Sequence, residues 1–171
     1  MQYMPENLPS KVTVGRFTLA VLAAGAIGCS QEPTIPKLDD EPVTMAIAAS
    51  TRNFTLGKED TIRVTITNFL DQVARLGFGS SCQVDVYIRS LEGAIVLPSG
   101  GRPLCLPGNT TLDIPAQGSI TRSFVWDGRD SFVPTISTAF VQPGTYFISA
   151  EINALNYSTF VPALKVEVAP P

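Results

Sequence analysis

Thr61-Ile62-Arg63-Val64-Thr65-Ile66-Thr67 alternates polar and apolar side chains without a break. A period of two puts Ile62, Val64 and Ile66 on one face of an extended strand and the hydroxyls on the other, the pattern of a half-buried β-strand. The same alternation recurs on both sides of this stretch. Upstream, Val43, Met45 and Ile47 begin a strand that runs toward Ser50. Downstream, Val84, Val86 and Ile88 alternate with Gln83, Asp85, Tyr87 and Arg89, and Leu91-Glu92-Gly93 reads as a turn into Ala94-Ile95-Val96-Leu97. Ile120, Phe124 and Trp126 share a face on which Arg122 is the exception. Tyr146, Ile148, Ala150 and Ile152 make a further stripe, and Leu164, Val166 and Val168 the last. Short alternating runs separated by turn residues predict antiparallel sheets that each bury one side. The expectation is all-β: an immunoglobulin-like antiparallel β-sandwich of roughly seven or eight strands within residues 43–171. Pro98 to Pro115 is rich in chain breakers and reads as a long loop, or a short strand between two loops. A second irregular stretch is expected from Asp127 to Pro143.

The N-terminus has a different character. Lys11 and Arg16 precede the apolar run Phe17-Thr18-Leu19-Ala20-Val21-Leu22-Ala23-Ala24-Gly25-Ala26-Ile27-Gly28, which ends at Cys29. A charged start, a short apolar stretch and small residues at its end are the layout of a secretory signal. The run falls short of the roughly 20 apolar residues that a membrane-spanning helix needs. Ala26-Ile27-Gly28-Cys29 resembles the bacterial lipobox, in which the cysteine thiol receives a diacylglyceryl group. Ala26 departs from the pattern, where Leu is commonest. The resemblance implies residues 1–28 as a signal peptide, lipidation of Cys29 and membrane attachment through two or three acyl chains, enough for stable anchoring. Residues 29–42 carry Pro33, Pro36 and Pro42 with several charges, and read as a flexible tether. The expected address is the extracytoplasmic cell envelope, the outer membrane where the organism has one.

Beyond residue 28 there are 143 residues, the size of one domain with a real core. They hold ten basic and fourteen acidic side chains, a net charge of −4. That balance argues against a nucleic-acid partner, which calls for a basic face. With Cys29 lipidated, Cys82 and Cys105 remain. Export to an oxidising compartment makes a disulfide between them the expected state, tying the 98–115 loop to the strand containing Val84. Two separate buried thiols would be the alternative.

Two segments resemble a known family. Trp126-Asp127-Gly128 ends one strand, and Pro143-Gly144-Thr145-Tyr146 opens another fifteen residues on. The pairing is similar to the BsuPI-like domain, named after an intracellular proteinase inhibitor, and Ile62 to Asn68 is similar to that family's early strand ending in Asn. The resemblance spans roughly residues 43–168 and implies proteinase inhibition as one function to consider. Read from the residues, the motifs are structural. Pro143-Gly144 suits a tight turn, Tyr146 a tyrosine corner, Trp126 a core anchor and Gly128 the turn after it.

The chain contains no histidine, which removes Ser-His-Asp and Cys-His nucleophiles and imidazole-based zinc sites. Asp127 and Asp130 are the nearest local carboxylate pair, but they flank a turn and are expected to be solvated. No cofactor, metal site or catalytic residue is expected. The sequence therefore points to a non-catalytic module that binds or scaffolds an envelope protein, with a BsuPI-like proteinase inhibitor as the alternative. If a partner is bound by a loop, Arg102, Leu104 and Leu106 within residues 98–111 are the candidates, stiffened by Pro103, Pro107 and the disulfide.

Overall fold

The computed structural model describes residues 43–133 and 139–171. The signal segment, Cys29 and the tether lie outside these residues. The described chain is all-β, with ten strands. They are β1 (Val43–Ala49), β2 (Asn53–Thr55), β3 (Asp60–Asn68), β4 (Ala74–Ser80), β5 (Asp85–Ser90), β6 (Ile95–Leu97), β7 (Pro107–Ile114), β8 (Ser119–Trp126), β9 (Gly144–Asn153) and β10 (Ser158–Ala169).

Three sheets form. One has the order β1-β3-β8, the second β2-β10-β9-β5-β6, and the third is the β4-β7 pair. All neighbours are antiparallel except β2, which runs parallel to β10. The alternation in β3 sets its register. Ile62 lies opposite Phe124 and Ile66 opposite Ile120, so the apolar side chains of the two strands share the inner face. Ile62, Val64 and Ile66 of that sheet, Ile88, Ile148 and Ile152 of the second, and Leu76 and Ile114 of the third pack into one core. Each such side chain, removed from water, contributes about 1.5–3 kcal/mol of transfer free energy. The result is an immunoglobulin-like sandwich.

Three strands exceed the alternation read from the sequence, and each has a physical reason. β2 is three residues long, too short to show a period. β4 reads Ala74-Arg75-Leu76-Gly77-Phe78-Gly79-Ser80, where two glycines obscure an inward set of Ala74, Leu76 and Phe78. β7 opens on Pro107-Gly108, residues that signal a turn, and its inner residues Leu112 and Ile114 appear only at its far end. The loop after β6 therefore ends at Leu106, and residues 107–111 belong to a strand.

Two side-chain amides tie β4 and its approach to the rest of the fold. Asn68, fully buried, donates through Nδ2 to the carbonyls of Gln72, Ile114 and Pro115 and accepts from Leu70 N–H at 2.9 Å. It holds the exit of β3 against the end of β7. Asn156 lies on the open side of β4. Its Oδ1 accepts Gly77 N–H at 3.0 Å and its Nδ2 donates to Arg75 O at 2.9 Å. Leu155 N–H adds a bond to Gly77 O at 2.7 Å. The β9–β10 turn thus supplies what a neighbouring strand would.

Arg122 is opposite Val64, on the inner side of β8, yet it is exposed. β8 is the outer strand of its sheet, and an inward-pointing charge on an edge strand discourages edge-to-edge pairing with another chain.

Candidate functional site

The disulfide between Cys82 and Cys105 is present, with Cα atoms 5.4 Å apart. Its position differs from the expected one. Cys82 follows β4 and precedes the strand that starts at Asp85, so the staple joins the end of β4 to the approach to β7. Hydrogen bonds reinforce it at once: Ser81 N–H donates to Leu106 O and Leu106 N–H to Ser81 Oγ, both at 2.9 Å. Thr110 Oγ1 donates to Ser80 O at 2.6 Å. The chain is therefore held at Cys105 by the disulfide and just after it by these hydrogen bonds.

Leu104 and Leu106 flank that cysteine and are 86% and 72% exposed. Single exposed apolar side chains are ordinary on protein surfaces. Here both adjoin a covalently linked cysteine, and the Leu106 backbone is also held by paired hydrogen bonds to Ser81, which lowers the ordering cost when something docks. Arg102, two residues earlier, is also exposed. The partner candidates within the loop thus fall together at residues 102–106.

Beside the staple is a polar row that the sequence reading passed over. Asp85 on β5 lies opposite Glu151 on β9, and Glu151 lies opposite Phe160 on β10. Val86, Ala150 and Val161, one step on, point into the core, which puts Asp85, Glu151 and Phe160 on the outer face. Tyr87 donates its hydroxyl to Glu151 Oε1 at 3.0 Å. Burial first, then Glu151, pushes the Asp85 carboxyl above the ordinary aspartate value. The Tyr87 hydroxyl is pushed up to about 12, by burial and then by its bond to Glu151. No pattern along one strand reveals this row, because its three members are brought together by cross-strand register.

Among the described residues, the one group of His, Cys, Asp and Glu side chains close enough to share a metal ion is Cys82, Asp85 and Cys105. Its two sulfurs are bonded to each other and offer no thiolate, the form in which cysteine ligates metals.

The residues expected to hold the fold sit together at the opposite end of β8. Trp126 is 1% exposed, packs its ring against Phe54 at 5.1 Å and meets Tyr146 edge-on at 6.4 Å. Its indole N–H donates to Arg129 O at 2.6 Å. Tyr146 directs its hydroxyl to Gln142 O at 2.6 Å, four residues upstream across Pro143-Gly144, the geometry of a tyrosine corner. Gly128 has φ +87°, and a Cβ there would lie 2.5 Å from Leu56 Cδ2. The positive φ favours glycine, and a larger residue would also have to displace the Leu56 side chain. Asp127 is not solvated as expected: it is largely buried and forms an ion pair with Arg129. Asp130 is not fully solvated either: its Oδ1 is buried. Arg129 in turn lies over the Phe140 ring at 4.8 Å and forms a bridge with that residue.

No family model matches the chain, and no curated protein matches it. Solved structures of similar shape exist. A β-glucosidase from Erythrobacter marinus is 17% identical over 74% of this chain and 15% of its own length, at a TM-score of 0.45. An alkylpurine DNA glycosylase from Pseudomonas fluorescens, bound to DNA with an abasic-site analogue, is 13% identical over 74% of this chain and 30% of its own, at 0.44. The CARDB domain of a Pyrococcus furiosus protein, in complex with di-metal ions, is 18% identical over 74% of this chain and 87% of its own, at 0.40. This chain spans under a third of the first two proteins. Strand order and core, rather than these likenesses, define it as an immunoglobulin-like β-sandwich.

Proposed function

We propose that this protein is a lipid-anchored, extracytoplasmic binding module without catalytic activity, which engages an envelope protein through the stapled segment Arg102–Leu106. One observation carries the reading. Leu104 and Leu106 stand exposed on either side of a disulfide-bonded cysteine, and the Leu106 backbone is held by two further hydrogen bonds to Ser81. A structural disulfide belongs to oxidising compartments, which agrees with the signal segment and with Cys29 as the acylated residue. The absence of histidine from the sequence supports a binding role over a hydrolytic one. Proteinase inhibition is the second reading. It is favoured by the BsuPI-like Trp126-Asp127-Gly128 and Pro143-to-Tyr146 motifs, and by Leu104, exposed next to the stapled Cys105 and suited to an apolar specificity pocket.

The test has two arms. Radiolabelled palmitate should enter the wild type and not Cys29→Ala. The wild-type protein should retain a partner from envelope extracts that Leu104→Asp/Leu106→Asp does not. Equal labelling of both chains refutes the anchor, and equal retention by both refutes the site. A panel of subtilisin-like and trypsin-like proteinases separates the second reading, which requires inhibition that the double Asp variant loses.

A further inference from the structure

The proposed docking segment lies beside a surface whose chemistry specifies more than an apolar contact. Asp85 has a carboxylate oxygen within 4.8 Å of both cystine sulfurs, so the acidic row begins at the staple itself. From there it crosses β9 at Glu151 and ends at Phe160 on β10, 75% exposed. Glu151 and Phe160, with Ile152, Asn153, Ser158 and Thr159, line an open hollow of about 300 Å³. The stapled segment that carries the two exposed leucines thus adjoins, at its cystine, two neighbouring carboxylates on a row that ends at an exposed aromatic ring beside a hollow.

Among the described residues the two carboxylates have no cation of their own. Among the described residues the ion pairs are Arg75–Asp113, Arg129–Asp127 and Lys165–Glu167. Arg89, on the same strand as Asp85, stands over the Tyr87 ring at 5.7 Å and forms none of these pairs. Like charges on directly opposed strand positions destabilise a sheet unless something neutralises them. Here Asp85 is half-buried as well. A guanidinium or ammonium group laid along the row would meet two carboxylates with an exposed aromatic residue beside them, groups that attract cations by charge and by the ring quadrupole.

We infer that the partner docks with a segment carrying an arginine or lysine next to large apolar side chains: the cation seats on Asp85, Glu151 and Phe160 while the apolar residues cover Leu104 and Leu106. This rests on the proposed docking at the stapled segment and adds the chemistry of its occupant. An anionic lipid surface does not fit, because the row would repel it.

The test is calorimetric titration of the full-length protein in detergent with three ten-residue peptides that alternate Leu with Arg, with Gln or with Glu. The Arg peptide should bind and the other two should not. Asp85→Asn/Glu151→Gln should weaken binding at least tenfold and Phe160→Ser about threefold. Glu59→Gln/Glu92→Gln, an equal change of net charge made in the β2–β3 and β5–β6 turns, should stay within twofold. Equal weakening by both charge pairs would overturn the inference, because net charge alone would then explain binding. So would a Gln peptide that binds as well as the Arg peptide, or an Arg peptide that does not bind. Capture of an envelope protein that needs Leu104 but tolerates Asp85→Asn/Glu151→Gln would overturn the inference while leaving the docking reading in place. Loss of capture in Leu104→Asp together with the tenfold effect supports both.

Discussion

Asn156→Ala removes one side chain and leaves two backbone groups of β4 without partners. Gly77 N–H is buried at its bond to Oδ1, so it cannot turn to water; Arg75 O is partly buried and can in part. A buried donor or acceptor left unpaired costs about 1–3 kcal/mol. Taking the Gly77 group in the middle of that range and the Arg75 group at its low end gives a loss of about 3 kcal/mol. For a chain of this size each kcal/mol lowers Tm by roughly 2–5 °C, so the variant should melt roughly 6–15 °C below the wild type. Asn156→Asp separates the two bonds: the carboxylate still accepts from Gly77 but turns an oxygen toward Arg75 O, and should destabilise at least as much at neutral pH. Thermal melts followed by circular dichroism, at fixed redox state, provide the reading. Variants that both melt within 2 °C of the wild type would refute the idea that Asn156 acts as the missing strand beside β4.

Reduction of the Cys82–Cys105 bond, which closes a loop with a sequence separation of 23, should lower stability by about 3 kcal/mol in urea titrations. Two titratable thiols in the native, air-handled protein would contradict the pairing. Trp126→Ala should cost about 3–5 kcal/mol and Tyr146→Phe about 1–2 kcal/mol, the corner hydrogen bond alone; unchanged melting of both would place these rings outside the core. The raised Asp85 carboxyl predicts a pH effect of definite sign. A group whose folded value lies above its unfolded one binds its proton more tightly when folded, so its contribution falls as pH rises from the ordinary 3.8 through the folded value. Asp85→Asn should therefore raise Tm at neutral pH and lose that advantage below pH 3.8, and a lower Tm at neutral pH would contradict the assignment.

The sequence showed most plainly what depends on neighbours along the chain. Alternation in β3, β5, β9 and β10 exposed their inner faces, and Pro143-Gly144 before Tyr146 marked the corner that the hydroxyl closes onto Gln142. The pairing of Cys82 with Cys105 followed from compartment rather than geometry, which is why its anchor point was misplaced toward Val84. β4 was hidden, and β7 was left between a loop and a short strand, because glycine and proline, which signal turns in isolation, here sit in strands whose long side chains face the core. The Asp85–Glu151–Phe160 row had no sequence signature, since those residues are far apart in the chain and meet only through strand register. Asn68 and Asn156 were equally silent: an amide that substitutes for a strand edge looks like any loop asparagine. Cys29 and the signal segment lie outside the described residues, and their reading rests on the sequence.

The central claim is that the stapled segment meets a protein partner at the cell envelope, and photo-crosslinking in intact cells tests it most directly. A photoreactive amino acid placed at Leu104 should yield a discrete adduct with one envelope protein. The same group at Val133, exposed on another loop, should not, and the adduct at Leu104 should vanish when Cys82 and Cys105 are replaced by serine. Discrete adducts of equal yield from both positions, or none from Leu104, would contradict it.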